Sequence, residues 1–339
     1  MRIAIDAMGG DFAPKAIVHG AVEAVRISKG RFEVVLVGHQ DEIDAELRRH
    51  FNIKNLKISI EHASEKIEMY ESPTTALKRK RDSSLAIAIS LYRKGEVDAI
   101  VSAGNTGAVM AISLLKLGRI KGVARPAIGS FIPTSYGACL LIDVGANVDC
   151  KPQNLQQFAI MGSIFIGRLL EIGRPTVGLL SIGEEASKGN ELTIRTHQLL
   201  KQSRLNFVGN IEGRDIMQGK VDVVVCDGFV GNILLKFGES FIHSFSTRLR
   251  QKIGKRIHSN IGAFLLKSSF KRVKRSYDWE EYGGVPLLGV NGVIIICHGK
   301  SSPKAIKNAV LEAEKTVDRK VNEYIERELE SLGEIEIEA

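Results

Sequence analysis

Val97-Asp98-Ala99-Ile100-Val101-Ser102-Ala103-Gly104-Asn105-Thr106-Gly107-Ala108-Val109-Met110 is the stretch from which the fold is read. Val97–Val101 is rich in β-branched residues and almost free of polar interruption, the pattern of a strand buried on both faces of a parallel sheet. Gly104 and Gly107 remove the Cβ atoms that would keep a ligand off the backbone. Ala108, Met110, Ala111 and Leu114 continue with helical spacing, so Asn105 or Thr106 is placed to cap a helix. The free N–H groups of that helix then face the crevice where open α/β sheets bind ligands. Alone, the stretch fits a plain glycine-rich turn as well as an anion site.

Composition bounds the rest. The 339 residues are 44% hydrophobic and 25% charged, the balance of a globular chain of one large or two medium domains. Cys139, Cys150, Cys226 and Cys297 are scattered without a Cys-x-x-Cys pair, which argues against a disulfide framework or structural zinc and for a reducing cytoplasm. Met1-Arg2-Ile3-Ala4-Ile5-Asp6 reads as a strand entering a turn rather than a signal peptide. No apolar run approaches the roughly 20 residues that span a bilayer. Ten of the 47 basic residues and none of the 39 acidic ones fall between Ser240 and Tyr277. The net charge of +8 is therefore local to one segment, and the remainder sums to about −2.

Short apolar runs alternate with amphipathic patterns, which predicts an α/β fold: three α/β/α layers around a mainly parallel sheet. Expected strands are Ile3–Ile5, Val34–Val37, Leu56–Ile60, Val97–Val101, Leu140–Ile142, Thr176–Ser181, Val221–Val225 and Val293–Cys297. Expected helices start near Pro14, span Asp41–His50, run through Glu71–Lys94 and close the chain over Pro303–Glu328. Residues 1–330 read as one catalytic domain of two lobes, and 331–339 as a frayed acidic tail.

Several strands end alike: Asp6 with Gly9, Gly10 and Asp11; Ser102 with Gly104 and Asn105; Asp143 with Gly145 and Asn147; Asp227 with Gly228, Gly231 and Asn232. Parallel strands would gather these ends on one edge, and with Lys188 and Lys236 they read as one polar crevice rather than four capped turns. The dinucleotide Gly-x-Gly fingerprint is missing, and Gly299-Lys300-Ser301 fails as a P-loop because Ile294 stands where the earlier glycine belongs. No metal-ligand cluster or Gly-x-Ser-x-Gly elbow is present, and Cys226, ending a buried strand, reads as an apolar filler.

Asp6-Ala7-Met8-Gly9-Gly10-Asp11, Ser102-Ala103-Gly104-Asn105-Thr106-Gly107, Gly118-Arg119-Ile120-Lys121-Gly122, Asp143-Val144-Gly145-Ala146-Asn147, Lys188-Gly189-Asn190-Glu191 and Asp227-Gly228-Phe229-Val230-Gly231-Asn232 together resemble the bacterial phosphate acyltransferases of the PlsX family. The likeness runs in order from Met1 to about Val321, with one departure: Phe12 stands where many members would carry histidine. The resemblance implies the transfer of a fatty acyl group from acyl-carrier protein to inorganic phosphate, giving acyl phosphate and free carrier at the start of phospholipid synthesis. It also implies a fold like that of isocitrate dehydrogenase and phosphotransacetylase, and a homodimer built through the second lobe. It implies neither cofactor nor metal.

That chemistry suits the residues. Phosphate can attack a thioester directly, so the protein needs to hold a dianion, stabilise an oxyanion and assist a departing thiolate. Lys188, Asp227 and His298 are the expected catalytic residues, His298 as proton donor and Lys188 for phosphate or leaving-group charge. Asp6, Gly9, Gly10, Ser102, Gly104, Asn105, Thr106, Gly107, Asp143, Asn147, Asn190, Glu191, Gly228, Gly231, Asn232 and Lys236 are the expected substrate contacts. Lys78–Arg81 reads as a solvated helix face before a phosphate or carrier contact.

The basic segment, about 240–277, needs its own account. Leu249, Ile253, Ile257, Ile261 and Leu265 recur every four residues, with Phe264 alongside and Lys255 and Arg256 on the flank. A dimer interface, an anionic membrane surface and a dock for the carrier protein all fit an amphipathic helix of this kind. The favoured reading is a dimer hairpin whose tip touches membrane, delivering product to a downstream membrane acyltransferase. Nucleic acid is not expected as a partner, since aromatic interleaving and a recognised motif are lacking. The protein is thus expected to be cytoplasmic and peripherally membrane-associated. A decarboxylating dehydrogenase of the same fold and a non-catalytic lipid-binding scaffold are the alternatives.

Overall fold

Strand β1 (Arg2–Asp6) starts the sheet because its residues alternate between two buried faces, Ile3 and Ile5 on one and Ala4 on the other. The computed structural model describes residues 1–253, 268 and 279–338. Parallel to β1 lie β2 (Glu33–Gly38), β3 (Ile58–His62) and β4 (Ala99–Ser102), connected by α1 (Lys15–Ser28), α2 (Gln40–Leu47), α3 (Pro73–Arg79) and α4 (Ser84–Arg93). Helix α5 (Thr106–Leu117) then leads into the second half. That half holds β5 (Ala127–Thr134), β6 (Gly137–Ile142), α6 (Pro152–Leu169), β7 (Thr176–Leu180), α7 (Glu191–Gln202), β8 (Asn206–Ile211), α8 (Gly213–Gln218), β9 (Val223–Val225) and α9 (Gly228–Ile253). The chain returns through β10 (Val285–Leu288), β11 (Ile294–Ile296), α10 (Pro303–Asp318) and α11 (Val321–Glu338).

Eleven strands form one sheet in the order β3-β2-β1-β4-β11-β10-β5-β6-β9-β7-β8. One face carries a continuous cluster across both halves, including Ile100, Ile294, Leu287, Leu141 and Val224 under α4, α5 and α9. The opposite face is divided between two clusters. Leu36, Val101 and Ile295 pack under α1 and α10, while Leu140, Ile142 and Val225 pack under α6 and α11.

The sheet is mainly parallel, as expected, but the two halves do not run the same way. Strand β11 is parallel to β4, whereas β10, β5 and β6 are each antiparallel to the strand before them in the sheet. Along the ladder, β6, β9, β7 and β8 therefore oppose β1 and β4, so the polar turns do not share one edge. The expectation of a single edge fails because β10 and β5, the latter interrupted by Gly129, Ser130 and Pro133, carry too little alternation to be read as strands, so of the hairpin only Leu140–Ile142 is expected. Twist softens the opposition. At roughly 20–25° per step, five steps from β4 to β9 turn the strands by roughly 100–125°, well short of leaving the two edges back to back.

Three boundaries also differ. Ser83 accepts from the Ala86 N–H and donates to Lys80 O, splitting the expected Glu71–Lys94 helix into α3 and α4. The expected closing helix breaks at Lys320, which adopts a left-handed conformation (φ 53°). Residues expected in a frayed tail continue α11 as far as Glu338.

Among the buried acids, one is left short of donors. Glu312 of α10 lies 6% exposed beside Cys297, with the Gly284 N–H as donor and Oε1 without a hydrogen-bond partner among the described residues. Burial pushes its carboxyl well above the usual range. Such a group contributes fully below the unfolded pKa of about 4.3, and its contribution is lost as pH rises towards the folded value. Replacing Glu312 by Gln is expected to remove that loss. Urea denaturation at pH 4 and pH 8 checks it: the variant gains at least about 1 kcal/mol on wild type between the two.

Candidate active site

The turn after β1 is organised by Asp6, whose side chain is buried and fully engaged. Its Oδ1 accepts from Ser84 Oγ (2.6 Å) and the Met8 N–H (3.3 Å), and its Oδ2 accepts from Ser102 Oγ (2.7 Å). Ser102 in turn accepts from the Gly104 N–H (3.1 Å), which joins the β1 and β4 turns into one unit. Burial raises the Asp6 carboxyl above its ordinary value despite these donors. The third strand end joins through Asp11, whose N–H donates to Gly299 O (2.7 Å). Asp6 and Ser102 thus support the turns that hold Gly9, Gly10 and Gly104.

Helix α5 is capped as the sequence predicts, with Asn105 Oδ1 accepting from the Ala108 N–H (3.0 Å). The Asn105 amide also donates to Met69 O and Glu71 O (both 2.9 Å), tying a strap of residues 69–71 over the turn. A Cβ at Gly107 would meet Pro73 Cγ at 2.7 Å, so the side of this glycine that lacks a side chain makes room for α3. Thr106 is exposed, and its N–H and that of Gly107 have no partner among the described residues. Two backbone donors at the positive end of a 12-residue helix are left to bind an anion. His298, at the neighbouring end of β11, accepts the Lys300 N–H at Nδ1 (3.0 Å), and a neutral ring so bonded carries its proton on Nε2.

The other half repeats this logic around Asp143. Its Oδ1 accepts from the Ile128, Gly145 and Ala146 N–H groups, and its Oδ2 from Asn147 N–H (2.7 Å) and Nδ2 (3.0 Å). Asn147 also donates to Pro126 O (2.7 Å), so both side chains are spent inside the turn. Asp227 caps α9 through the Val230 N–H (2.9 Å). The first turn of α9 lies so close that a Cβ at Gly231 would stand 1.9 Å from Asp143 O, and Gly228 donates to Asn147 O (2.7 Å). Cys226 is buried there and its thiol is raised well above its ordinary range by burial, which agrees with an inert filler.

Lys188, Asn190 and Glu191 stand at the end of β7, on the same edge as Asp143 and Asp227. Asn190 caps α7 through the Thr193 N–H (2.9 Å), and Glu191 pairs with Arg195 (2.6 Å). The exposed Lys188 amine has no ion pair among the described residues, whereas Lys236 pairs with Glu239 (2.9 Å). Asn232 is exposed beside Gly145. The expected contacts therefore fall into two groups: Asp6, Gly9, Gly10, Ser102, Gly104, Asn105, Thr106, Gly107 and His298 on one edge, the remainder on the other. Sequence reasoning missed Ser84 and Pro73, which reach their partners from 78 and 34 positions away. Lys255, Arg256, Ile257, Ile261, Phe264 and Leu265 lie outside the described residues, as does the Ile253 side chain.

A family model described as "Fatty acid synthesis protein" matches residues 1–324. The phosphate acyltransferase of Thermoanaerobacterium thermosaccharolyticum is 46% identical over 334 residues, 98% of each chain. That of Pelotomaculum thermopropionicum is 49% identical over 332 residues, covering 98% of this chain and 96% of its own. Among solved structures, a phosphotransacetylase from Streptococcus pyogenes superposes with a TM-score of 0.63 at 15% identity over 94% of both chains. A branched-chain phosphotransacylase from Enterococcus faecalis follows with 0.59 at 13% identity, covering 94% of this chain and 99% of its own. These two likenesses establish a shared fold.

Asp143→Asn turns one of its two accepting oxygens into a donor that faces at least two of the five donors. The substitution is expected to lower stability by about 2–3 kcal/mol, read as an earlier urea midpoint with unchanged slope.

Proposed function

The chain belongs to the phosphate acyltransferase family of fatty acid synthesis proteins, and we propose that it moves the acyl group of an acyl-carrier-protein thioester onto inorganic phosphate. A phosphate oxygen attacks the thioester carbonyl, the C–S bond breaks, and the sulfur leaves with a proton as the free thiol of the carrier. The nucleophile is the substrate itself, so the protein's task is placement and charge. The observation that carries this reading is the pair of N–H groups at Thr106 and Gly107, without a partner among the described residues and held by the rigid Asp6–Ser102–Gly104 unit. Preorganised donors of this kind contribute about 3–4 kcal/mol each when aimed at a developing oxyanion.

In this reading Lys188 neutralises phosphate or the departing sulfur, and His298 gives the proton from Nε2. Asp227 and Asn147 hold the second turn in shape, while Asn232 and Thr106 offer polar contacts to substrate. Lys188 qualifies because its amine is exposed and has no ion pair among the described residues, and because Ser181 Oγ holds its carbonyl (3.0 Å) and with it the loop.

A homodimer through α9 belongs to the same proposal. Phe229, Ile233, Phe237, Phe241 and Phe245 recur every four residues and are 55–68% exposed, and the last three rings stack with 6.3 Å between neighbouring centroids. An aromatic stripe of that length is costly to leave in water and matches its own copy in a symmetric pair. Among the described residues no helix is long and apolar enough to cross a membrane. The basic, amphipathic sequence that follows α9 fits contact with an anionic bilayer.

Purified protein is expected to consume acyl-carrier thioester only when phosphate is present, with acyl phosphate trapped as hydroxamate and EDTA without effect. Lys188→Ala is expected to lower kcat/KM by roughly 100-fold in that assay. Phe237→Glu with Phe241→Glu is expected to give a monomer by light scattering. Ile257→Glu with Ile261→Glu is expected to abolish liposome binding, and retained binding would remove the membrane contact from the proposal.

A further inference from the structure

We propose that Lys78, Arg79 and Arg81, backed by Arg93 and Lys116, form the surface on which the acidic carrier protein docks, an inference that rests on the proposed function. Lys78, Arg79 and Arg81 are exposed and make no ion pair or side-chain hydrogen bond with any described residue. Some exposed cations elsewhere find a carboxylate, as Lys94 does Glu96, Lys220 Glu184 and Arg195 Glu191, and what sets this run apart is three cations within four positions that have no ion pair among the described residues. The fourth cation of the run behaves differently. Lys80 turns inward, where its amine donates to Lys66 O (2.6 Å) and to Glu71 Oε1 (2.5 Å), fixing the strap.

Behind the run, the Lys116 amine donates to Ala86 O (3.0 Å) between α4 and α5. Burial holds it below its ordinary range, and repulsion from Arg93 and Arg81 adds to this, with Asp82 offsetting in part. Like charges gathered without partners raise the energy of the free protein, and an acidic partner relieves it.

The patch is coupled to the candidate site through α3. This helix starts at Pro73, which packs on Gly107, and ends at Arg79, six residues or about 9 Å further on. A carrier seated on the cations would thus have its flexible thioester arm at the mouth of the Gly104–Gly107 turn. A bilayer is the less apt occupant, because the cations flank one short helix rather than spread over a broad face.

Fluorescence anisotropy of dye-labelled holo-carrier protein against the full-length chain tests the assignment. Lys78→Glu, Arg79→Glu and Arg81→Glu together are expected to weaken binding by about tenfold or more. The charge-conserving set Lys78→Arg, Arg79→Lys and Arg81→Lys is expected to stay within about twofold, and wild-type affinity is expected to fall with salt. Equal binding by the reversed variant, no binding by wild type, or a loss confined to phosphatidylglycerol vesicles would each overturn the proposal. The hydroxamate assay on wild-type protein judges the proposed reaction separately. Turnover with unaltered docking removes only the docking surface, and absent turnover removes the reaction.

Discussion

A carboxylate taken out of water must find donors close at hand, and two such carboxylates shape everything chemical in this protein. Asp6 gathers two serine hydroxyls and a backbone N–H, and Asp143 gathers four backbone N–H groups and an amide. A buried charge left unpaired would cost several kcal/mol, so neither turn can rearrange without losing stability. The donors come from different strands and loops, so each aspartate also joins elements that sequence separates. The turns are rigid because their acids are occupied, and around them sit donors without a partner among the described residues, at Thr106, Gly107 and Lys188.

The sheet then decides how the two turns relate. Its reversal through β10, β5 and β6 sets the strand ends of the two halves against each other. A single hydrophobic cluster nonetheless continues beneath α4, α5 and α9 on one face. Burial on that shared face, together with accumulated twist, is what holds the halves as one body. The opposite face needs no such continuity, and its two clusters are filled by α1 and α10 and by α6 and α11.

Charge and aromatic surface are distributed with the same economy. The chain carries two conspicuous basic stretches, and only one of them, Lys78–Arg81, lies wholly within the described residues. Three of its cations face solvent and one is consumed by the strap over α5. The stacked phenylalanines of α9 are a separate feature, aligned along one helix by four-residue spacing.

Local sequence was sufficient for much of this. The strands β1, β2, β4, β7 and β9 are apolar runs that only a doubly covered sheet satisfies, and Asn105 announces its cap by position alone. The turn motifs also carried the family. What sequence left open were features set by partners far along the chain: the antiparallel hairpin, the breaks at Ser83 and Lys320, Ser84 on Asp6, and Pro73 on Gly107. Residue type determined that acids, glycines and asparagines would end the strands. Only the tertiary structure decided which of them would be consumed in holding the turns, because a hydrogen bond between residues scores of positions apart has no local trace.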